Sequence, residues 1–85
     1  MTPLPRVTLY GRPDCHLCDE ARAELEGMLT GGSAFALEEV DIESDDALFR
    51  RHLERIPVIE LEGEFVSDLG LDADALRARL ATLSR

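Results

Sequence analysis

Lysine is absent from this 85-residue chain, and its nine basic residues, all arginine, face eighteen acidic ones. The formal charge of -9 repels nucleic acid and anionic membrane surfaces and attracts a basic partner surface. The missing lysine reflects compositional bias, and the acidic surplus also serves as a solubilising coat. Long hydrophobic runs are lacking as well. Nothing approaches the roughly 20 apolar residues of a membrane span. The opening MTPLPRVTLYG has no apolar run of the signal-peptide kind, so the expected compartment is the cytoplasm, where structural disulfides are rare. Cysteine and histidine are scarce, two of each. A zinc or iron–sulfur site usually takes four ligands, so no metal site is expected within one chain. Internal repeats, low-complexity tracts and linkers are also missing, which leaves one domain over residues 1–85, expected as a monomer. So short a chain buries a limited share of its surface, yet at 45% hydrophobic it can build one core and does not read as disordered.

What is present is concentrated in YGRPDCHLC, residues 10–18, where both cysteines fall within four positions. Before them, Arg6 to Tyr10 (RVTLY) is a compact strand rich in β-branched and aromatic residues, broken by Gly11 and Pro13. From Cys15 onward, Leu17, Ala21, Leu25 and Met28 recur at helical steps, and Gly31-Gly32 stops that helix. Phe35 to Ile42 (FALEEVDI) reads as a second strand, and two strands joined by a helix suggest a parallel βαβ unit. Ser44 is expected to cap a second helix, with Asp45 and Asp46 at the positive end of its dipole. That helix runs to about Leu53 and turns Leu48, Phe49 and Leu53 to the core. Pro57 opens a third strand, PVIEL; Glu62-Gly63 turns the chain and EFVS returns as an antiparallel fourth. The last helix begins near Asp72. Leu71 and Leu76 have the spacing of a hydrophobic staple, and Leu76, Leu80 and Leu83 form the inner face. The order β-α-β-α-β-β-α gives an α/β fold, a four-stranded mixed sheet with helices on both faces.

A C-x-x-C at the start of the first helix of a βαβ pattern marks a thioredoxin-like redox domain. Cys15 lies at or just before the first turn, where unpaired backbone N–H groups and the helix dipole favour thiolate over thiol, so its pKa is expected below the free value of about 8.5. Cys18, nearly a turn further in, is more shielded. Arg12 and a charged His16 support a thiolate, and Asp14, Asp19 and Glu20 oppose it. The implied chemistry is attack by Cys15 on a disulfide, then displacement by Cys18. A cluster bridged between two chains and a merely structural disulfide are the competing readings. In RIPVIEL, a proline cannot donate to the sheet and belongs at an edge or a strand start. Were Ile56–Pro57 cis, the Ile56 backbone would be left free beside the sulfurs to pair with an extended substrate segment; an ordinary trans proline at a strand start is the alternative. Arg50, Arg51 and Arg55 form the one dense basic patch. For Arg50 and Arg51 the reading is charge complementing a helix end, and for Arg55 that or a carboxylate of substrate. His52 is expected to be partly exposed, and Tyr10 and Phe35 to be core.

Taken together, VTLYGRPDCHLC, the acidic DIESDD, RIPVIEL and the turn at Gly63 resemble the glutaredoxin-like proteins of the thioredoxin superfamily, in a small bacterial-type branch. The resemblance spans nearly the whole chain. It implies strand order 2-1-3-4, a cis bond before Pro57, Cys15 as nucleophile, Cys18 as resolving thiol, and Ile56 with Pro57 as substrate platform. It also implies glutathione as a possible reductant. Three departures bear on that. Ser67 and Asp68 stand where glutathione binders have a Gly-Gly pair, and a carboxylate there repels the tripeptide. His16-Leu17 replaces the usual Pro-Tyr between the cysteines, and Arg12 loosely replaces a lysine. The expected substrate contacts are therefore Arg12, His16, Leu17, Arg55, Ile56, Pro57, Ser67 and Asp68. The expected activity is reduction of a protein or small-molecule disulfide, with a reductase or thiol pool as electron donor and no tightly bound cofactor. The alternative is a non-catalytic binding module or an iron–sulfur or thiol carrier.

Overall fold

Val7 and Leu9 alternate with Thr8 along the first strand, and all three are buried, because this strand lies in the middle of the sheet. Residues 3–83 are described by a computed structural model. Its elements are β1 (Arg6–Gly11), α1 (His16–Thr30), β2 (Ala36–Asp41), one 3-10 turn (Ile42–Ser44), α2 (Asp46–His52), β3 (Val58–Leu61), β4 (Glu64–Ser67) and α3 (Ala73–Leu83). β1 pairs in parallel with β2, from Arg6 opposite Ala36 to Gly11 opposite Asp41. On its other side it pairs antiparallel with β3, from Val7 opposite Leu61 to Tyr10 opposite Val58. The order β2-β1-β3-β4 is the one the resemblance implied.

The core lies on one face. Val7, Leu9, Ile59 and Leu61 from the sheet meet Ala21, Leu25 and Met28 of α1 and Leu76 of α3. Each large aliphatic side chain buried there contributes about 1.5–3 kcal/mol. α2 covers part of the other face, where its His52 ring lies 4.6 Å from the ring of Tyr10. α1 ends as its glycines suggest. Gly31 N–H donates to Gly27 O at 2.9 Å, Ser33 N–H to Met28 O at 2.9 Å, and Gly32 takes φ +106, a conformation with little cost only for glycine. The β3–β4 turn has positive φ at both Glu62 and Gly63, which matches the twist of a two-residue hairpin.

Several expectations are corrected. Leu17 is not on the inner stripe of α1; it is 47% exposed, and Cys18 takes that place. Ser44 does not cap α2. Its hydroxyl donates to Asp41 O at 2.6 Å within the 3-10 turn, and the Asp45 carboxylate accepts from the N–H groups of Ala47 and Leu48 at 2.8 and 3.2 Å. The extra turn moves the helix start on by one residue. His52, expected to be partly exposed, is 3% exposed because its ring packs on Tyr10 across the sheet, while Leu48, Phe49 and Leu53 are half-buried. Leu83, expected on the inner face of α3, is 52% exposed and lies with Thr82 beside the β3–β4 hairpin. Phe35 is core but precedes β2, and Tyr10 is only half-buried.

Candidate functional site

The chain leaves β1 at Gly11, turns through Pro13 and Asp14, and enters α1 at His16. Asp14 sits at φ +60, a region that Asp tolerates better than most side chains. The turn places Cys15 as the N-cap of α1 in extended conformation, with its Sγ accepting the Cys18 N–H at 3.2 Å. A sulfur thus occupies the position where a helix start usually receives a side-chain oxygen. Cys15 and Cys18 are joined as a disulfide, with Cα atoms 5.2 Å apart. Cys15 is half-buried, while Cys18 is 1% exposed, the asymmetry expected of an attacking and a resolving sulfur.

Cys18 is packed against Gly11, which the sequence marks only as a strand breaker. A Cβ at that position would lie 3.0 Å from Cys18 Sγ and 3.2 Å from its Cβ. The one signal for this contact is a glycine at the last position of the strand before the motif. On the outer side, a hollow of about 290 Å³ is lined by Gly11, Arg12, Cys18, Asp19, Arg22 and Asp41, among others. Arg22, which no sequence motif singles out, spans it by holding Asp19 at 2.9 Å and Glu39 of β2. Arg12 pairs with Glu43 at 3.6 Å. His16 reaches Glu20 at 3.4 Å from an exposed position.

The antiparallel register brings the proline to the same end of the sheet. Tyr10 is opposite Val58, so the next position on each strand sets buried Pro57 beside Gly11. The Ile56–Pro57 bond is cis. The Ile56 backbone is not wholly free, however. Its N–H donates to His52 O at 3.0 Å, and Arg55 N–H donates to the same oxygen at 2.8 Å. Among the described residues, the Ile56 carbonyl accepts no hydrogen bond. β4 ends at Ser67, opposite Ile59, and the following loop is tied back by Leu69 N–H to Arg55 O at 2.9 Å. Asp68 holds the Arg55 guanidinium at 2.9 Å, which also lies 5.3 Å from the centre of the Phe65 ring. Ser67 Oγ donates to Gly70 O at 3.0 Å and accepts from Asp72 N–H at 3.2 Å. Arg55, Ile56, Pro57, Ser67 and Asp68 are thus one structural unit.

Behind it, His52 is held neutral. Burial is the main cause of its lowered pKa; Glu60 opposes the shift, and Arg51 and Arg55 add to it. Its Nδ1 has no hydrogen-bond partner among the described residues. Tyr10, stacked on it, donates its hydroxyl to Glu60 at 3.2 Å. Burial first, and the Glu60 charge second, raise the tyrosine's pKa.

A parallel–antiparallel sheet in this order, with two cysteines at the first helix start and a cis-proline at the same end of the sheet, defines a thioredoxin-fold protein with a redox-type dithiol site. A mutant thioredoxin from Halobacterium salinarum shares that fold, with a TM-score of 0.67 over 98% of this chain and 77% of its own at 20% identity. Nearer relatives narrow the class. A Nitrosomonas europaea protein solved by NMR is 32% identical, with a TM-score of 0.79 over 93% of this chain and 94% of its own. An X. campestris protein solved by X-ray is 37% identical, with a TM-score of 0.66 over 89% and 96%. The chain belongs to the glutaredoxin-like domain family (DUF836), which it matches over residues 6–81.

Proposed function

We propose that this protein is a thiol–disulfide oxidoreductase that reduces a disulfide of a protein or small molecule. The observation that carries the reading is the placement of the Cys15 sulfur at the helix cap, on the Cys18 N–H, with its buried partner close enough to bond. In the reduced protein that N–H and the helix dipole favour the Cys15 thiolate. The thiolate attacks one sulfur of the substrate disulfide. A Cys15–substrate bond forms, the substrate S–S bond breaks, and one substrate thiolate leaves. Cys18 gives up its proton and attacks Cys15 Sγ. The Cys15–Cys18 bond forms and the second substrate thiolate leaves. Two electrons have passed to substrate, which takes up two protons as two thiols. A reductase or a thiol pool of the cell returns two electrons to the disulfide.

Ile56 and Pro57 form the platform. The free Ile56 carbonyl accepts a backbone N–H of an extended substrate segment, while its own N–H stays with His52. Leu17 lies exposed between the cysteines and supplies apolar contact. Asp68 occupies Arg55, so a glutathione carboxylate meets a neutralised pair instead of a free cation, and glutathione is a poor reductant here.

The reading is tested with two variants and a neutral probe, hydroxyethyl disulfide. Cys15→Ser is expected to lose turnover at least a hundredfold. Cys18→Ser is expected to stall after the first step as a mixed disulfide, seen by mass spectrometry as the added mass of half the probe. Retention of full activity by Cys15→Ser would exclude the mechanism.

A further inference from the structure

Eight arginines lie among the described residues, and six are in ion pairs. The two that are not, Arg50 and Arg51, are adjacent on α2. In a chain of net charge -9, with acids in twofold excess, unpaired neighbouring cations need a physical account. The helix dipole is one, since both fall in the last turn, where a cation gains about 0.3–1 kcal/mol. It does not explain what lies beside them. Phe49 and Leu53, whose spacing suggested core, are half-buried, and their outer surfaces line an open groove of about 380 Å³ together with Arg50, Arg51, Glu54 and Arg55. One lining residue, Arg55, directly precedes Ile56-Pro57. The groove's floor is tied to that platform through His52 O, which holds both Arg55 N–H and Ile56 N–H.

We propose that this groove docks an acidic segment of the protein partner that exchanges electrons at Cys15. An apolar side chain of the partner fills the space along Phe49 and Leu53, and flanking Asp or Glu residues meet Arg50 and Arg51. The proposal rests on the thiol–disulfide reading above and adds the character of the partner. The exchange is as written there: two electrons leave the cysteine pair, and the docked disulfide departs as two thiols. The apolar lining favours a polypeptide over a small anion, which would use the charges alone. Nucleic acid is disfavoured by the net charge of the whole chain. That charge does not forbid an acidic segment at contact. The Debye length is about 8 Å at physiological salt, so distant carboxylates are screened while Arg50 and Arg51 act at ion-pair range.

The test compares two peptide disulfides that differ only in the residues flanking the cystine, Glu-Leu-Glu in one and Lys-Leu-Lys in the other. Reduction by the prereduced full chain is followed at physiological ionic strength. The wild-type protein is expected to reduce the Glu peptide about fivefold faster than the Lys peptide. Arg50→Glu with Arg51→Glu is expected to invert that ratio, a change of about tenfold or more. Arg50→Gln with Arg51→Gln brings the ratio near one without opposing the helix dipole, and serves if the charge-reversed chain fails to fold. Arg77→Glu on α3, a charge reversal remote from the groove, leaves the wild-type ratio in place. A wild-type preference for the Lys peptide overturns the docking site. So does a ratio indifferent to Arg50 and Arg51, or one that Arg77→Glu shifts equally. Failure to reduce either peptide or hydroxyethyl disulfide overturns the redox reading itself, and this partner with it.

Discussion

Gly11 shows how one missing side chain shapes the site. The Cys18 sulfur lies where a Cβ of residue 11 would come within 3.0 Å, so the strand approaches the helix as closely as backbone permits. Gly11→Ala sets two effects against each other. Loss of unfolded-chain freedom stabilises by about 0.4–1 kcal/mol. Overpacking against a buried, cross-linked sulfur costs about 1–3 kcal/mol. The second is larger, so the alanine variant is expected to lose about 1 kcal/mol, read as a lower urea midpoint at unchanged slope. An unchanged midpoint would mean that the contact is loose. Tyr10, His52 and Glu60 show the opposite case, in which polar groups are drawn into the far face of the sheet by packing that no local spacing announces.

At the scale of elements, short helices depend on their ends. α2 has seven residues, too few to persist without a cap and a packed face. Asp45 supplies the cap through two N–H groups. Asp45→Ala is expected to cost about 1 kcal/mol, and the loss should appear first as faster amide exchange in Asp46–His52. Exchange that accelerates uniformly over the chain would argue against a local role. Because Ile56 N–H hangs from the end of this helix, its fraying also loosens the platform. α3 is anchored from outside: Arg79 donates to Phe65 O at 3.0 Å and holds Glu64 at 2.9 Å, which fastens the last helix to the edge strand. Most elements are legible in their spacing. Of the boundaries that differ, β2 gives up Phe35 and loses Ile42 to the 3-10 turn, and the start of α2, Ser44 against Asp45, is a choice between two residues with equal capping ability. It is decided by the 3-10 turn, which draws the serine hydroxyl back to Asp41.

For the whole molecule, buried His52 makes folding depend on pH. Burial lowers its pKa in the folded state, so the unfolded chain, with a value near 6.5, binds the proton more readily. Stability from the neutral ring is fully present above about pH 6.5. It falls as pH drops below that and levels off beneath the lowered folded value, at up to about 1.4 kcal/mol per pH unit for one proton. The unfolding midpoint of wild-type protein is therefore expected to fall more steeply from pH 7 to 5.5 than that of His52→Phe, which keeps a ring on Tyr10 but cannot titrate. Parallel curves would show that the histidine charges within the fold without penalty. The neighbour that Gly11 finds on the opposite strand is also a property of the whole chain. Pro57 meets Gly11 only through the antiparallel register of β3 on β1.

By itself, the sequence determined the order of elements, the Ala21–Leu25–Met28 stripe that α1 buries, and the position of two cysteines at a helix start. These follow from periodicity, glycine and proline punctuation, and capping chemistry, all local. Tertiary structure alone decided that Gly11 would yield to a sulfur, that His52 would be sealed in, that Asp68 would hold Arg55, and that Arg50 and Arg51 would find no carboxylate among the described residues. Those outcomes depend on which distant residues share a few ångströms. Strand register and sheet order set that distance, and no window along the chain records it.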